Sequence, residues 1–339
     1  MQKSVKLAND ARKAYLAEVE SAEPTARRDV YVALSLGPFG STIQPTQDFD
    51  GFYPPPFGPK GPTPDTENSH NSASKNTRLF SSSDPGQENQ DEKNAIEALA
   101  QFHLWRLRAI SSTLETWNSI TYIAFETVPH LRELRAIKVA MAMLDSDLEK
   151  SGGLKGSHPK GWWISLVFPD GSESVQWGQE ERERQTRSLH RTGTVGDVTS
   201  SQSSSQHSEI LNVILDDTLG AVPTGLGINC TKIDQYPSIL SSIVSNSRFA
   251  TTVDKEPIPL TLVVYPNGGR LGETFDPLTY RWINDGRPRP DGRNIAWEEE
   301  VVEVVQQCRG DWKDVIVGGC CRVYPPQVKT LRENVNKSL

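Results

Sequence analysis

Two short stretches carry the residues whose types and spacing could do chemistry. In Asp314-Val-Ile-Val-Gly-Gly-Cys-Cys-Arg322, apolar β-branched positions run into a glycine pair and then into two adjacent cysteines. Such a run predicts a buried parallel strand ending in a bare turn. Neighbouring cysteines rarely pair with each other, because the bridge strains the small ring it closes. In a reduced compartment, vicinal thiols on a tight turn suit a soft metal ion. A third thiol, Cys230, ends a second apolar run, Gly225-Leu-Gly-Ile-Asn-Cys230. Two strand ends bringing Cys230, Cys320 and Cys321 to one point predict a three-cysteine zinc site with its fourth position open.

The chemistry of that site follows from thiol acidity. A free thiol, with a pKa near ~8.5, is only slightly ionised at neutral pH, whereas a zinc-bound thiol is deprotonated yet still a sulfur nucleophile. An open site therefore suits activation of a thiol substrate for attack on an electrophilic carbon. Closed structural zinc sites normally use closely spaced Cys-x-x-Cys pairs, and the chain has none. The competing reading treats these cysteines as buried small apolar residues. Cys308, on a predicted helix, is expected to fill the core.

Glu126 follows the predicted strand Ile120-Thr-Tyr-Ile-Ala-Phe125 and carries two readings. It is either a carboxylate that pairs with a substrate ammonium group or a helix-start acid stabilised by the dipole. His103, Arg106 and Arg108 share a predicted helix with no second histidine at ligand spacing, which favours a structural role over a metal. Gly37-Pro-Phe-Gly40 and Tyr265-Pro-Asn-Gly268 read as strand-end turns.

These residues need strands and helices to position them. Strands are predicted over 29–36, 120–125, 162–168, 224–229, 259–265 and 314–317, with helices between them. Glycine, proline, asparagine or acidic residues stand at nearly every strand's carboxyl end. That alternation predicts a parallel sheet with helices outside it, best met by a TIM-type (β/α)8 barrel, with a doubly wound open sheet as the alternative. An opening amphipathic helix is expected from Leu7, Ala8, Ala11, Tyr15, Leu16 and Val19. Composition marks low-complexity insertions at about 54–90 and 172–207 within a single domain spanning 1–339. The second insertion reads as a solvated loop or as a phosphoregulated segment.

A chain of 339 residues can bury a substantial core, and its net charge of −7 argues against nucleic acid as a partner. There is no apolar run long enough for a bilayer and no signal-peptide core. Four cysteines are too few for a disulfide scaffold, so a cytoplasmic location is expected.

Taken together, Val317-Gly-Gly-Cys-Cys-Arg322 with Pro325, and Gly227-Ile-Asn-Cys230, resemble the motifs of the homocysteine S-methyltransferase family. Weaker similarities occur in the family's order at Leu36-Gly-Pro-Phe-Gly40, Phe102-His103 with Arg106, Phe125-Glu-Thr-Val-Pro129, Trp163-Ile-Ser165 and Val264-Tyr-Pro-Asn267. The resemblance implies a zinc-dependent β/α barrel that methylates homocysteine to methionine. Cys230, Cys320 and Cys321 would bind Zn2+, and Glu126 would hold the homocysteine amino group. The methyl donor would be S-methylmethionine or S-adenosylmethionine, or betaine in a related branch.

One departure stands out. The family opens with an Asp-Gly-Gly strand and a second strand before the helix that resembles Val5-Lys-Leu-Ala-Asn-Asp-Ala-Arg12. The barrel is therefore expected to lack its first two β/α units, through an incomplete gene model, a degenerate paralogue or closure by a second copy. A truncated, catalytically inactive zinc-binding homologue is the alternative function.

Overall fold

The computed structural model describes residues 2–22, 29–49, 51–59, 80, 85–150, 160–168, 208–245, 257–268, 273–276, 281–284 and 295–338. The stretch expected as an insertion at 172–207 lies outside them, as does most of 54–90. In chain order the elements are α1 (Gln2–Ala22), β1 (Ala33–Leu36), α2 (Pro85–Ser111), α3 (Leu114–Asn118), β2 (Tyr122–Val128), α4 (Leu131–Lys150) and β3 (Gly161–Leu166). They continue with α5 (Ser208–Leu215), β4 (Gly225–Asn229), α6 (Tyr236–Ser245), β5 (Ile258–Tyr265), β6 (Glu273–Asp276) and β7 (Arg281–Asn284). The described chain closes with α7 (Trp297–Cys308), β8 (Trp312–Val317) and α8 (Pro325–Ser338).

Six strands form one sheet in the order β1-β2-β3-β4-β5-β8, and every neighbouring pair is parallel. A doubly wound sheet reverses its strand order at a switch point. Here the order only advances, as in TIM-type folds, with no such reversal. Among the described residues the sheet ends at β1 and β8.

The two faces differ because side chains alternate along each strand. Leu34, Leu36, Ile123, Phe125, Ile164, Leu166, Leu226, Ile228, Leu262 and Val264 are buried in one core with helix residues such as Leu99, Leu107, Leu134, Ile137 and Val301. On the opposite face Ala124, Trp163 and Val263 form a separate small cluster with Tyr122 and Tyr265, and among the described residues no helix residue joins it. Burying an aliphatic or aromatic side chain contributes roughly 1.5–3 kcal/mol. Stability therefore resides on the helix-covered face, and the other face is available for chemistry. It is most open at the edges, where Ala33 and Ser35 of β1 and Asp314 and Ile316 of β8 are exposed.

Three expectations need correcting. Helix α1 forms, but its buried line starts from Val5 and Asn9, while Leu7 (59 %) and Tyr15 (39 %) of the expected apolar face are exposed. The line Val5, Asn9, Arg12, Leu16, Val19 has equally good helical spacing. It wins because Gln2 ties this side down through Nε2 bonds to Ala109 O (3.1 Å) and Ser112 Oγ (3.0 Å). Helix α2 begins at Pro85, inside the stretch expected to be loop to about residue 90. Proline suits a first helical position, and Gln87–Asp91 (2.7 Å) and Gln90–Asn94 (2.9 Å) bonds support a first turn with no apolar periodicity. The antiparallel hairpin of β6 and β7 was not expected. Among the described residues, no helix is long and apolar enough to cross a membrane.

Candidate metal centre

Three strand ends build the site. After β8 the chain turns through Gly318-Gly319-Cys320-Cys321, and backbone bonds lock that turn to the end of β5. Gly318 N donates to Val264 O (2.8 Å), Cys320 N to Pro266 O (2.9 Å) and Gly268 N to Cys321 O (2.8 Å). Asn267 N donates in turn to Thr231 O (3.0 Å), just beyond β4. The approach is so close that a Cβ on Gly319 would lie 2.5 Å from Val323 Cγ1. Bare glycine there is a packing requirement.

The turn delivers both of its thiols to the third. Cys230 Sγ lies 3.2 Å from Cys320 Sγ and 3.9 Å from Cys321 Sγ, and the latter two are 3.9 Å apart. An ion bound tetrahedrally at ~2.3 Å would hold its sulfurs about 3.8 Å apart. Two edges of the triangle match that spacing and the third is about 0.6 Å short, a shift within reach of one side-chain rotation. Cys230 and Cys320 are half-buried and Cys321 is exposed, so the trio fits an ion with one side open. Thiolate-only donors favour soft or borderline ions over calcium or magnesium.

Hydrogen bonds from Cys230 and then Cys321 hold Cys320 well below the ordinary thiol range. The contact with Cys320 in turn raises Cys230. One of the three sulfurs is thus the preferred anion. Backbone strain gathers at the same place. Thr127 (φ 61°), Cys230 (φ 51°) and Arg322 (φ 60°) are the non-glycine residues in left-handed conformation among those described, and all three flank the sulfurs. Such conformations cost about 1–3 kcal/mol each and persist where surrounding bonds enforce them.

Glu126, on β2 next to Thr127, is mostly buried beside the same rim. Burial raises its pKa, the Ser35 hydroxyl bonded to Oε2 opposes that shift, and the Cys320 thiolate adds to it. The Tyr265 hydroxyl also lowers Glu126 through a hydrogen bond to the carboxylate, and its oxygen pairs with the Ser165 hydroxyl. The carboxylate therefore lies within β2, not at a helix start, and hydroxyls from β1 and β5 orient it.

A second polar cluster, which sequence reasoning missed, centres on Glu133. This fully buried carboxylate accepts from Phe39 N (2.7 Å), His103 Nε2 (3.0 Å) and the Tyr53 hydroxyl. Arg106 Nη2 donates to His103 Nδ1 (2.6 Å) and Nη1 donates to Gly37 O (2.8 Å). With Nδ1 accepting, His103 carries its proton on Nε2 and stays neutral, and burial lowers its pKa accordingly. Burial alone would raise Glu133, but the His103 bond and the charges and hydroxyl around it hold it down to about 2. The cluster pins the Gly37–Gly40 turn to α2 and α4, so His103 and Arg106 are structural. Cys308 is buried on α7, its thiol directed at Val305 O (3.7 Å), away from the trio.

The family model for homocysteine S-methyltransferase matches residues 1–335. Homocysteine S-methyltransferase 2 of Saccharomyces cerevisiae is 26% identical over 230 residues, covering 66% of this chain and 51% of the yeast protein. Homocysteine S-methyltransferase 2 of Zea mays is 22% identical over 338 residues, covering 100% of this chain and 68% of the maize protein. Betaine-homocysteine S-methyltransferase of Drosophila melanogaster is 24% identical over 339 residues, covering 99% of this chain and 70% of the fly protein. The chain thus spans about half the length of the yeast relative and a little over two-thirds of the other two. Among solved structures, the homocysteine methyltransferase MmuM from Escherichia coli in its metallated form shares the fold, with a TM-score of 0.50 and 21% identity over 98% of this chain and 69% of that one. With a match that leaves almost none of the sequence outside it, this protein belongs to the homocysteine S-methyltransferase family, a family of methyltransferases.

Proposed function

We propose that the chain is a zinc-dependent homocysteine S-methyltransferase, transferring a methyl group from a sulfonium donor to homocysteine to form methionine. The observation that carries this reading is the convergence of Cys230, Cys320 and Cys321 to within 3.9 Å of one another with one side exposed. These three residues would hold Zn2+, which when bound supplies a Lewis acid that keeps a substrate thiol deprotonated at neutral pH. Glu126 pairs with the homocysteine ammonium group, oriented by the Ser35 hydroxyl. The Trp163 and Tyr265 side chains pack together on the face of the sheet beside it. In the transfer, homocysteine sulfur forms a bond to the methyl carbon as the donor's sulfur–methyl bond breaks. The bonding pair stays on the donor sulfur, which becomes a neutral thioether, and the thiol proton goes to solvent. The protein's own contribution is alignment of the two reactants.

We further infer that the sheet is six strands of a TIM-type (β/α)8 barrel whose first two units lie outside this chain, within one domain over 1–339. The one-way strand order and the exposed β1 and β8 edges support that reading. S-methylmethionine or S-adenosylmethionine would be the donor, and free thiols at all four cysteines fit a cytoplasmic location. The open edges also favour a second reading, an inactive zinc-binding homologue.

Purified protein loaded with one zinc per chain, given homocysteine and S-methylmethionine, should produce methionine detectable by mass spectrometry. Bound zinc without transfer, persisting after two upstream β/α units are added to the chain, would leave only the inactive homologue.

A further inference from the structure

Asn229, the last residue of β4, is 2 % exposed, and its side chain reaches two other strand ends. Its Oδ1 accepts from Thr127 N (2.9 Å). Its Nδ2 lies 2.9 Å from Thr127 Oγ1, 3.3 Å from Cys230 Sγ and 3.9 Å from Cys320 Sγ. The orientation of this amide is not free. A backbone N–H can only donate, so the oxygen must face Thr127 N and the NH2 group must face the sulfurs.

Proton counting then settles the rest. The amide has two hydrogens: one is committed to Thr127 Oγ1, and the other is shared between the two sulfurs, chiefly Cys230. Since Thr127 Oγ1 accepts from Asn229, its own hydrogen is free to point at Cys230 Sγ, 3.7 Å away. Cys230 Sγ is therefore the acceptor at the end of two donor routes, one direct and one through the threonine. The same bonds hold Thr127 and Cys230 in their left-handed conformations (φ 61° and 51°). A β-branched threonine at such a φ is a strained choice, and the hydroxyl is what it contributes there.

We propose that Asn229 and Thr127 are positioning residues for the thiol trio. Asn229 latches β2 to β4, and the two side chains donate hydrogen bonds that fix the direction of Cys230 Sγ and withdraw electron density from it once it binds the ion. Hydrogen bonds to a ligand atom withdraw electron density from it and fix its direction, and their loss typically weakens metal binding about 10–100-fold. The proposal rests on the metal-binding reading above, and its test separates the two.

Zinc affinity is measured by competition with a chromophoric chelator, and the sulfur-to-metal charge-transfer band is recorded on the cobalt(II)-substituted protein. Both are run for the parent chain, N229L, T127V and T127S. N229L should bind zinc at least roughly tenfold more weakly. N229L and T127V should both move the cobalt band to lower energy, because an unbonded thiolate gives up its electrons more readily. T127S, which keeps the hydroxyl, should restore the parental band. Near-UV circular dichroism checks the fold; should N229L lose its native spectrum, the T127V and T127S pair decides alone. An unshifted band in T127V overturns the proposal, whatever the affinity. Failure of the parent itself to bind zinc or cobalt overturns the metal reading and this inference with it.

Discussion

Replacing Glu133 with glutamine removes the charge at the centre of the buried cluster while keeping its shape. Two independent magnitudes can be set against each other. The carboxyl is held at about 2 against an ordinary 4.5, a gap of about 2.5 pH units, worth about 3 kcal/mol in the folded state at neutral pH. Counting bonds gives a similar figure. Phe39 N, His103 Nε2 and the Tyr53 hydroxyl all donate to the carboxylate, and turning three charge-assisted bonds into neutral ones loses about 1 kcal/mol each. The amide of Glu133→Gln also brings a donor into a set of donors. Urea unfolding at pH 7, followed by near-UV circular dichroism, should therefore place the variant about 3 kcal/mol below the parent. The sign with pH follows from a depressed folded pKa. The Glu133 contribution is fully present above about pH 4.5 and is lost as pH falls towards 2, so the gap between the two proteins should close over that window. His103, with its own pKa lowered by burial, adds a fall in stability below about pH 6.5; Glu133 opposes that lowering, so the fall is steeper in the variant and the gap closes only once Glu133 itself titrates, towards pH 2. A variant within about 0.5 kcal/mol of the parent at pH 7, or a gap that stays constant from pH 6 to 3, would refute the reasoning.

Cys320→Ser should abolish stoichiometric zinc, measured by mass spectrometry of metal content, whereas Cys308→Ser should retain it, because Cys308 is buried on α7 away from the trio. Gly319→Ala should destabilise the turn by about 1–3 kcal/mol through the contact with Val323, and the double variant with Val323→Ala should recover much of both stability and metal binding. On α1, Val5→Ala should cost about 1 kcal/mol or more while Leu7→Gln stays within about 0.5 kcal/mol. Thermal melts of those two α1 variants would refute the observed helix orientation if the order were reversed.

The parts of the site legible in the sequence share one property: each is a continuous run. Gly225–Cys230 and Asp314–Cys321 each couple an apolar strand to its functional end, so the residues that fold the strand also announce what it delivers. Strands β2 to β5 were readable for the same reason, since buried parallel strands are nearly continuous apolar segments, whereas β8, expected to be buried, is a largely exposed edge strand. The Glu133 cluster had no such signal. Its donors come from positions 94, 80 and 30 residues away, and a single acid in the first turn of α4 reads as an ordinary dipole partner. Helix α1 buries a side that shares Leu16 and Val19 with the expected one but runs through Val5 and Asn9 instead of Leu7 and Tyr15, because the helix carries two overlapping stripes of helical spacing. The Asn-Cys pair was noticed for its sulfur; what the asparagine does depends on Thr127, more than a hundred positions earlier.

Among the described residues, three places favour glycine and carry something else. At Thr127, Cys230 and Arg322 the backbone would relax if the side chain were deleted, so a selection for heat resistance alone should let glycine drift in at each. A selection that also demands growth under metal limitation should keep glycine out of positions 127 and 230. The difference between the two sequence pools would measure how much conformational ease this protein forgoes for its sulfurs.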